Sequence, residues 1–151
     1  MSGETAPQLP CSAVDLVPHE PPMLLVERVI WVANSEDPDG WSIVEAHAPE
    51  DGIFVADGGV LPEYLIELAA QAIAAVDGYE NLRCALGPSV GFLVGVQDFI
   101  WQAEILTGMA LRIELNKSFS FGNMKIFTAL VYASDKLVCR GEIKLWKDET
   151  R

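Results

Sequence analysis

The sequence predicts an α+β domain in which an antiparallel β-sheet wraps around one long central helix. Three observations lead there. A single convincing helix runs from Pro62 to about Asp77, and Leu65, Ile66, Leu68, Ala69, Ala70, Ala72, Ile73, Ala74, Ala75 and Val76 leave it no polar face broad enough for water. The segments on either side carry the β-branched and alternating patterns of strands. Two strands, one buried helix and four strands, in that order, are satisfied by a sheet curled around the helix.

Met1 to Pro10 is rich in Gly, Pro, Ser and Thr, and residues 1–14 are expected to form a flexible N-terminal segment ahead of one domain over 15–147. Cys11 to Val17 has a short, helix-compatible pattern that Pro18 ends. Met23 to Val32 reads as the first strand, Asn34 to Gly40 as a turn, and Trp41 to Ala48 as the second strand of a long-looped hairpin. Pro62 suits the first helical position and Gly78 the left-handed residue after the last one. Beyond a break at Gly87-Pro88, four further strands are expected near Val90 to Ile100, Ala110 to Ser118, Lys125 to Ala133 and Leu137 to Trp146. Leu111, Ile113 and Leu115 alternate with Arg112, Glu114 and Asn116, giving one covered and one wet face. Ser134-Asp135 is a short turn that makes the last two strands antiparallel neighbours.

Composition narrows the function. With 10 basic against 22 acidic residues and a net charge of -12, the chain lacks the cationic surface that nucleic-acid binding requires. Its three cysteines, Cys11, Cys84 and Cys139, share no metal-ligand or disulfide spacing, so no metal is expected and a reducing compartment fits. Met1 to Pro10 has neither the basic start nor the apolar stretch of a signal peptide, and no segment is long enough to span a bilayer, so a soluble, cytoplasmic protein is expected. The mean hydropathy of +0.24 is high for a soluble monomer. A subunit interface or an apolar ligand tunnel would hide that surplus.

Glu67, in the middle of the buried helix, is the leading candidate for chemistry, with Gln71 one turn later and Glu63 one turn earlier on the same stripe. Proteins prepare carboxyls for proton exchange near neutral pH by withdrawing them from water, although a structural, hydrogen-bonded role accounts for the same residue. His19 lies in Pro18-His19-Glu20-Pro21-Pro22, where prolines restrict the backbone; rigid placement suits a catalytic imidazole and equally a capping or interface histidine. His47 ends a strand in ordinary alternation, and Glu63 suits the helix dipole at its position, so both are weaker candidates. Gly58-Gly59 reads as a turn or a close backbone approach, and Gly91-Phe92-Leu93-Val94-Gly95-Val96 as an apolar strand whose glycines leave room for a ligand or mark a bulge. There is no nucleophile elbow, phosphate-binding glycine loop or metal-ligand cluster.

From about Asp15 to Trp146 these motifs, in order, resemble the hot-dog-fold β-hydroxyacyl-acyl carrier protein dehydratases. Leu16-Val17-Pro18-His19-Glu20-Pro21-Pro22-Met23-Leu24-Leu25-Val26-Glu27-Arg28-Val29 is similar to that family's opening L-L-P-H-x-x-P-F-L-L-V-D-R-V. Leu65-Ile66-Glu67-Leu68-Ala69-Ala70-Gln71-Ala72 resembles the helix pattern L-x-E-A-x-A-Q-A around the catalytic carboxylate, which places Glu67 in that role. Phe92-Leu93-Val94-Gly95-Val96 resembles the tunnel-lining strand F-x-A-G-I, and Lys136-Leu137-Val138-Cys139-Arg140-Gly141-Glu142 the closing strand K-V-V-C-E-A-E. The branch most similar is the 3-hydroxyacyl-carrier-protein dehydratases of aryl-polyene-type pathways.

The resemblance implies dehydration of 3-hydroxyacyl thioesters to trans-2-enoyl thioesters without a cofactor, in fatty-acid or polyene synthesis, on acyl carrier protein or acyl-CoA. It also implies a homodimer or higher even oligomer, Glu67 and His19 as catalytic residues, and Gln71, Phe92, Leu93 and Gly95 as substrate-binding residues. Three departures accompany it. Where the fatty-acid enzymes have G-H-F-P-G-x-P, this chain has Gly52-Ile53-Phe54-Val55-Ala56-Asp57-Gly58-Gly59, without histidine. Pro62 replaces a glycine whose N–H polarises the thioester, leaving other amides at the helix start to hold that oxygen. Ile100-Trp101-Gln102-Ala103 replaces the basic patch that faces the carrier. A non-catalytic acyl-binding subunit and a thioesterase are the alternatives on this fold.

Overall fold

The structure is a computed structural model that describes residues 6–34, 37–86 and 90–148. The Gly87-Pro88 break, residues 1–5 of the N-terminal segment and part of the 34–40 turn lie outside the described residues. Seven strands form one antiparallel sheet: β1 (Cys11–Ser12), β2 (Arg28–Trp31), β3 (Ser42–His47), β6 (Val90–Trp101), β7 (Ala110–Phe121), β8 (Met124–Ala133) and β9 (Lys136–Asp148). Their order across the sheet is β1-β2-β3-β7-β8-β9-β6. A two-stranded hairpin, β4 (Val55–Ala56) with β5 (Gly59–Val60), precedes the helix α1 (Glu63–Arg83). Asp57 and Gly58 both have positive φ there, so the glycine pair belongs to a tight turn.

The inward residues of each long strand pack on α1. Val44, Ala46, Leu111, Ile113, Leu115, Ala129, Val131 and Ile143 are buried, and the helix contributes Tyr64, Leu65, Leu68, Ala69, Ala72, Ile73 and Ala75. No helical residue between Tyr64 and Leu82 is exposed, as its composition predicts. The four expected late strands are present, and Ser134 and Asp135, at φ 49 and 57, form the two-residue turn that joins β8 to β9. No helix among the described residues is long and apolar enough to cross a membrane.

Three local readings are corrected. The chain is packed before residue 15: Cys11 pairs with Val29, the Ala13 amide donates to the Glu27 carbonyl at 2.9 Å, and Ala13 is fully buried, so this stretch is an edge strand and turn instead of a flexible or helical piece. The first long strand begins at Arg28, because the backbone of Met23 and Leu25 is committed elsewhere. The buried side chain of Gln71 donates from Nε2 to the Met23 carbonyl at 2.7 Å and accepts the Leu25 amide on Oε1 at 2.8 Å. The helix runs through Gly78 to Arg83. Gly78 is needed for close approach: a Cβ there would lie 2.6 Å from the Leu16 carbonyl oxygen.

Gly78→Ala is therefore expected to destabilise the protein by about 1–3 kcal/mol despite alanine's better helix propensity. Gln71→Leu, which leaves the Met23 carbonyl and Leu25 amide unpartnered, is expected to cost about 1–3 kcal/mol. Urea denaturation followed by circular dichroism reads both; an increase in midpoint for either variant contradicts the corresponding contact.

Candidate active site

The Pro18–Pro22 segment turns tightly, with the Met23 and Leu24 amides both donating to the Glu20 carbonyl at 2.8 and 3.0 Å. This turn delivers the His19 ring to the helix. His19 Nε2 lies 3.5 Å from Glu67 Oε1, with the two side chains 37% and 35% exposed. Glu67 is thus less buried than the helix pattern suggests, and its site is open on one side. Gln71 Nε2 donates to the same Glu67 oxygen at 3.1 Å. Two nitrogens therefore converge on Oε1, an arrangement suited to a carboxylate, while no hydrogen bond from the described residues occupies Oε2. Both amide hydrogens of Gln71 are spent on Met23 and Glu67, so Gln71 positions Glu67 and has no N–H left for a substrate.

The second ring nitrogen of His19, Nδ1, is enclosed and has no hydrogen-bond partner among the described residues. Enclosing a bare acceptor costs less than enclosing an unpaired N–H, which assigns the neutral ring its hydrogen on Nε2, facing Glu67. The helix start offers less than expected. The Tyr64 and Leu65 amides are already bonded to the Leu61 and Pro62 carbonyls at 3.1 and 3.0 Å, so they are not free to hold a substrate oxygen.

The remaining sequence candidates separate from this cluster. His47 Nδ1 pairs with Glu27 Oε1 at 2.8 Å on the surface, and Glu63 is exposed in the first turn of α1. Strand β6 runs from the far end of α1 back to its start: Gly91 opposes Lys147, whose ammonium bonds Asp77 at 2.7 Å, and the Trp101 indole donates to the Pro62 carbonyl at 3.2 Å. Phe92, Leu93 and Gly95 consequently lie toward the Asp77 end and are not brought to Glu67. Leu93, opposite Leu145, shares the inward face of buried Ile143; Phe92 and Gly95, opposite Trp146 and Lys144, face away from the helix. The bulge between Leu93 and Gly95, with Val94 as its extra residue, sets that parity.

Between Glu67 and Asp77, the half-buried residues Ile66, Ala70 and Ala74 mark the least covered face of α1. Ala70 and Ala74 put small apolar side chains on that face. A carboxylate aimed by an amide, with a histidine beside it and a half-covered apolar face leading away, can move a proton on a substrate with an extended apolar tail.

The model of the ApeP-like family, described as ApeP dehydratase, matches residues 11–150. A chain of the dehydratase heterocomplex ApeI:P from Xenorhabdus doucetiae superposes with a TM-score of 0.78 at 25% identity, covering 95% of this chain and 94% of that one. The uncharacterized protein PH1136 from Pyrococcus horikoshii has a TM-score of 0.66 at 19% identity, with 95% and 98% coverage. The protein smu.793 from Streptococcus mutans UA159, solved bound to acetyl CoA, has a TM-score of 0.59 at 14% identity, with 82% and 89% coverage. The last two likenesses concern the fold alone. No curated protein matches the sequence. With nearly its whole length matched, this hot-dog-fold chain belongs to the ApeP-like dehydratase family and has a 3-hydroxyacyl-ACP dehydratase-like function.

Proposed function

We propose that the protein dehydrates 3-hydroxyacyl thioesters to trans-2-enoyl thioesters, with Glu67 as the proton carrier and His19 as the donor beside it. The observation that carries this reading is the meeting of Glu67, Gln71 and His19, with Oε2 of the carboxylate left open. Glu67 takes the α-proton on Oε2 as the Cα–H bond breaks, the Cα=Cβ bond forms and the Cβ–O bond breaks. The same proton then passes to the departing hydroxyl, releasing water and regenerating the carboxylate. His19 Nε2–H is too far from Oε1 for a tight hydrogen bond, and in this reading it turns to the leaving oxygen, where a neutral imidazole acts as an electrophile. The acyl tail would lie over the half-covered Ala70 and Ala74 toward Leu93. The thioester is carried by acyl carrier protein or CoA; acetyl CoA is held on the same fold by the Streptococcus mutans protein.

A second subunit belongs to this reading. Strand β6 is a sheet edge whose consecutive residues Phe92, Leu93 and Val94 are 55%, 48% and 55% exposed, so both of its faces are open. An apolar edge of this length templates pairing with another strand. A homodimer or higher even oligomer joined along β6 is expected, and sedimentation equilibrium at micromolar concentration checks it; a stable monomer contradicts the proposal. The similar chain from Xenorhabdus doucetiae belongs to a dehydratase heterocomplex, ApeI:P.

Glu67→Gln keeps the shape of the side chain and should leave the fold intact while hydration of crotonyl thioesters, followed by loss of enoyl absorbance, falls by about a hundredfold or more. Unchanged turnover removes Glu67 from the mechanism. His19→Ala should lower turnover by about 10²–10⁴ with little change in thermal unfolding, whereas a purely structural histidine would show the opposite pattern. His19→Gln retains an N–H donor and should recover part of the rate; release of free thiol in place of hydration would indicate a thioesterase.

A further inference from the structure

Strand parity puts a row of large apolar side chains on the outer face of the sheet, away from α1 and from the site at Glu67. Phe127 and Ile143 pair with each other and are buried against the helix, so their neighbours Ile126 and Lys144 turn outward. Met124 and Trp146, two residues further along each strand and also paired, turn outward with them. Phe92 on β6 pairs with Trp146, and Phe121 on β7 pairs with Met124. Phe92, Trp146, Met124 and Phe121 therefore form one row across β6, β9, β8 and β7. Its three aromatic members are largely uncovered, Phe92 being 55%, Trp146 46% and Phe121 78% exposed.

The row is braced. At the tip of the hairpin between β7 and β8, Lys125 Nζ donates to the Ser120 hydroxyl at 2.8 Å and to the Gly122 carbonyl at 3.1 Å. The Lys147 amide of β9 donates to the Asn123 carbonyl at 2.8 Å and ties the tip to the next strand. Aromatic side chains on a braced backbone lose little freedom when they are covered, so contact through them is inexpensive. The surroundings are also electrically balanced. Among the described residues, the next two rows of the outer face hold one cation, Lys144 beside Ile126, and one anion, Glu142 beside Thr128. On a chain of net charge -12, this is a face where two copies meet without the repulsion that the acidic surface elsewhere imposes. The same net charge opposes approach to an anionic bilayer.

We infer that the row of Phe92, Trp146, Met124 and Phe121 is a contact with further copies of this chain, which stacks two β6-joined pairs back to back into a tetramer. The inference rests on the pairing along β6 in the reading above and adds a second interface on a different face. Antiparallel pairing of two β6 edges turns the outer faces of both chains to the same side, so one pair presents two rows. Area then decides how many chains meet. Taking about 200 Å² for a full aromatic side chain, the observed exposures leave roughly 350 Å² of aromatic surface per chain. Two single chains meeting through one row each would bury only about 700 Å², too little for a specific interface, whereas two pairs bury about 1,400 Å², within the range of stable ones. Two sheets packed face to face also interleave such rows as an ordinary mode of sheet packing.

The test is sedimentation velocity of the full chain at micromolar concentration, with thermal unfolding followed on the same samples. The wild type should run as a tetramer and the Phe121→Ser/Trp146→Ser double variant as a dimer. Phe121→Ser alone, at the most exposed position of the row and outside the core, should raise the dissociation constant of the tetramer at least about tenfold with unchanged thermal unfolding. This single variant decides the matter where the double variant loses its fold. Wild-type dimers, or tetramers that keep their full affinity in Phe121→Ser, overturn the inference and leave the β6 pairing standing. A wild-type monomer, or a double variant that falls to folded monomers, defeats the β6 pairing and the stacked arrangement with it. Flotation with phosphatidylcholine vesicles is measured alongside. Flotation of the wild type that Phe121→Ser loses, while its sedimentation stays the same, assigns the row to a lipid surface and overturns the inference.

Discussion

The structure depends on one buried amide. Gln71 lies almost fully inside the molecule, where an unsatisfied side-chain amide would be costly, and it is satisfied by the Met23 carbonyl, the Leu25 amide and Glu67 Oε1. Those three bonds connect two parts of the chain some fifty residues apart and the carboxylate proposed to carry the proton. They hold the segment after Pro22 against α1 in a non-strand conformation, and that segment presents His19 to Glu67. Because both N–H groups of one planar amide are used, any rotation that freed Glu67 would also break the tie to Met23. The position of the site is thereby coupled to the docking of the N-terminal segment on the helix.

Close packing of that segment requires small residues on α1. Gly78 meets the Leu16 carbonyl where no side chain fits, and the Tyr79 hydroxyl donates to the Pro7 carbonyl at 2.9 Å one residue later. The helix interior accepts the cost of a glycine because it lets the chain cross at van der Waals distance. A similar exchange occurs in the sheet: a Cβ on Gly141 would collide with the ring of Phe99, which fills that space beside Trp101. The start of α1 is thereby fixed through the Trp101 bond to Pro62, and with it the direction in which Glu67 projects.

Much of this was legible in the sequence, and the failures have physical causes. The curled sheet, the all-round apolar helix and the Ser134-Asp135 turn follow from periodicity and turn chemistry, which are local. Glu67 stood out because a carboxylate in an apolar helix is expensive, and His19 because prolines fix its backbone. The end of the helix was misplaced because Gly78 reads as a cap unless Leu16 is known to cross it. The first strand was drawn too long because apolar residues dominate Met23 to Val32, whereas the hydrogen bonds of Met23 and Leu25 go to a side chain 46 to 48 residues away. Phe92 and Gly95 were assigned to the ligand by motif; the bulge at Val94 turns them outward, and a bulge leaves little trace in apolar alternation.

The second subunit of the proposed reading would also act on the site. Proton transfer to and from carbon benefits from a site that excludes water, since each charge interaction is stronger there. In the single chain, however, roughly a third of Glu67 and of His19 remains open, and Ala70 and Ala74 are only half covered. The exposed apolar run Phe92 to Val94 lies on the edge strand β6, toward the Asp77 end of the helix. A partner added along β6 would cover that edge, and an acyl chain laid over Ala70 and Ala74 would displace water from the open side of Glu67. Both steps bury apolar surface, so in the proposed reading assembly and substrate binding both favour the closed environment of the carboxylate that Gln71 has already aimed.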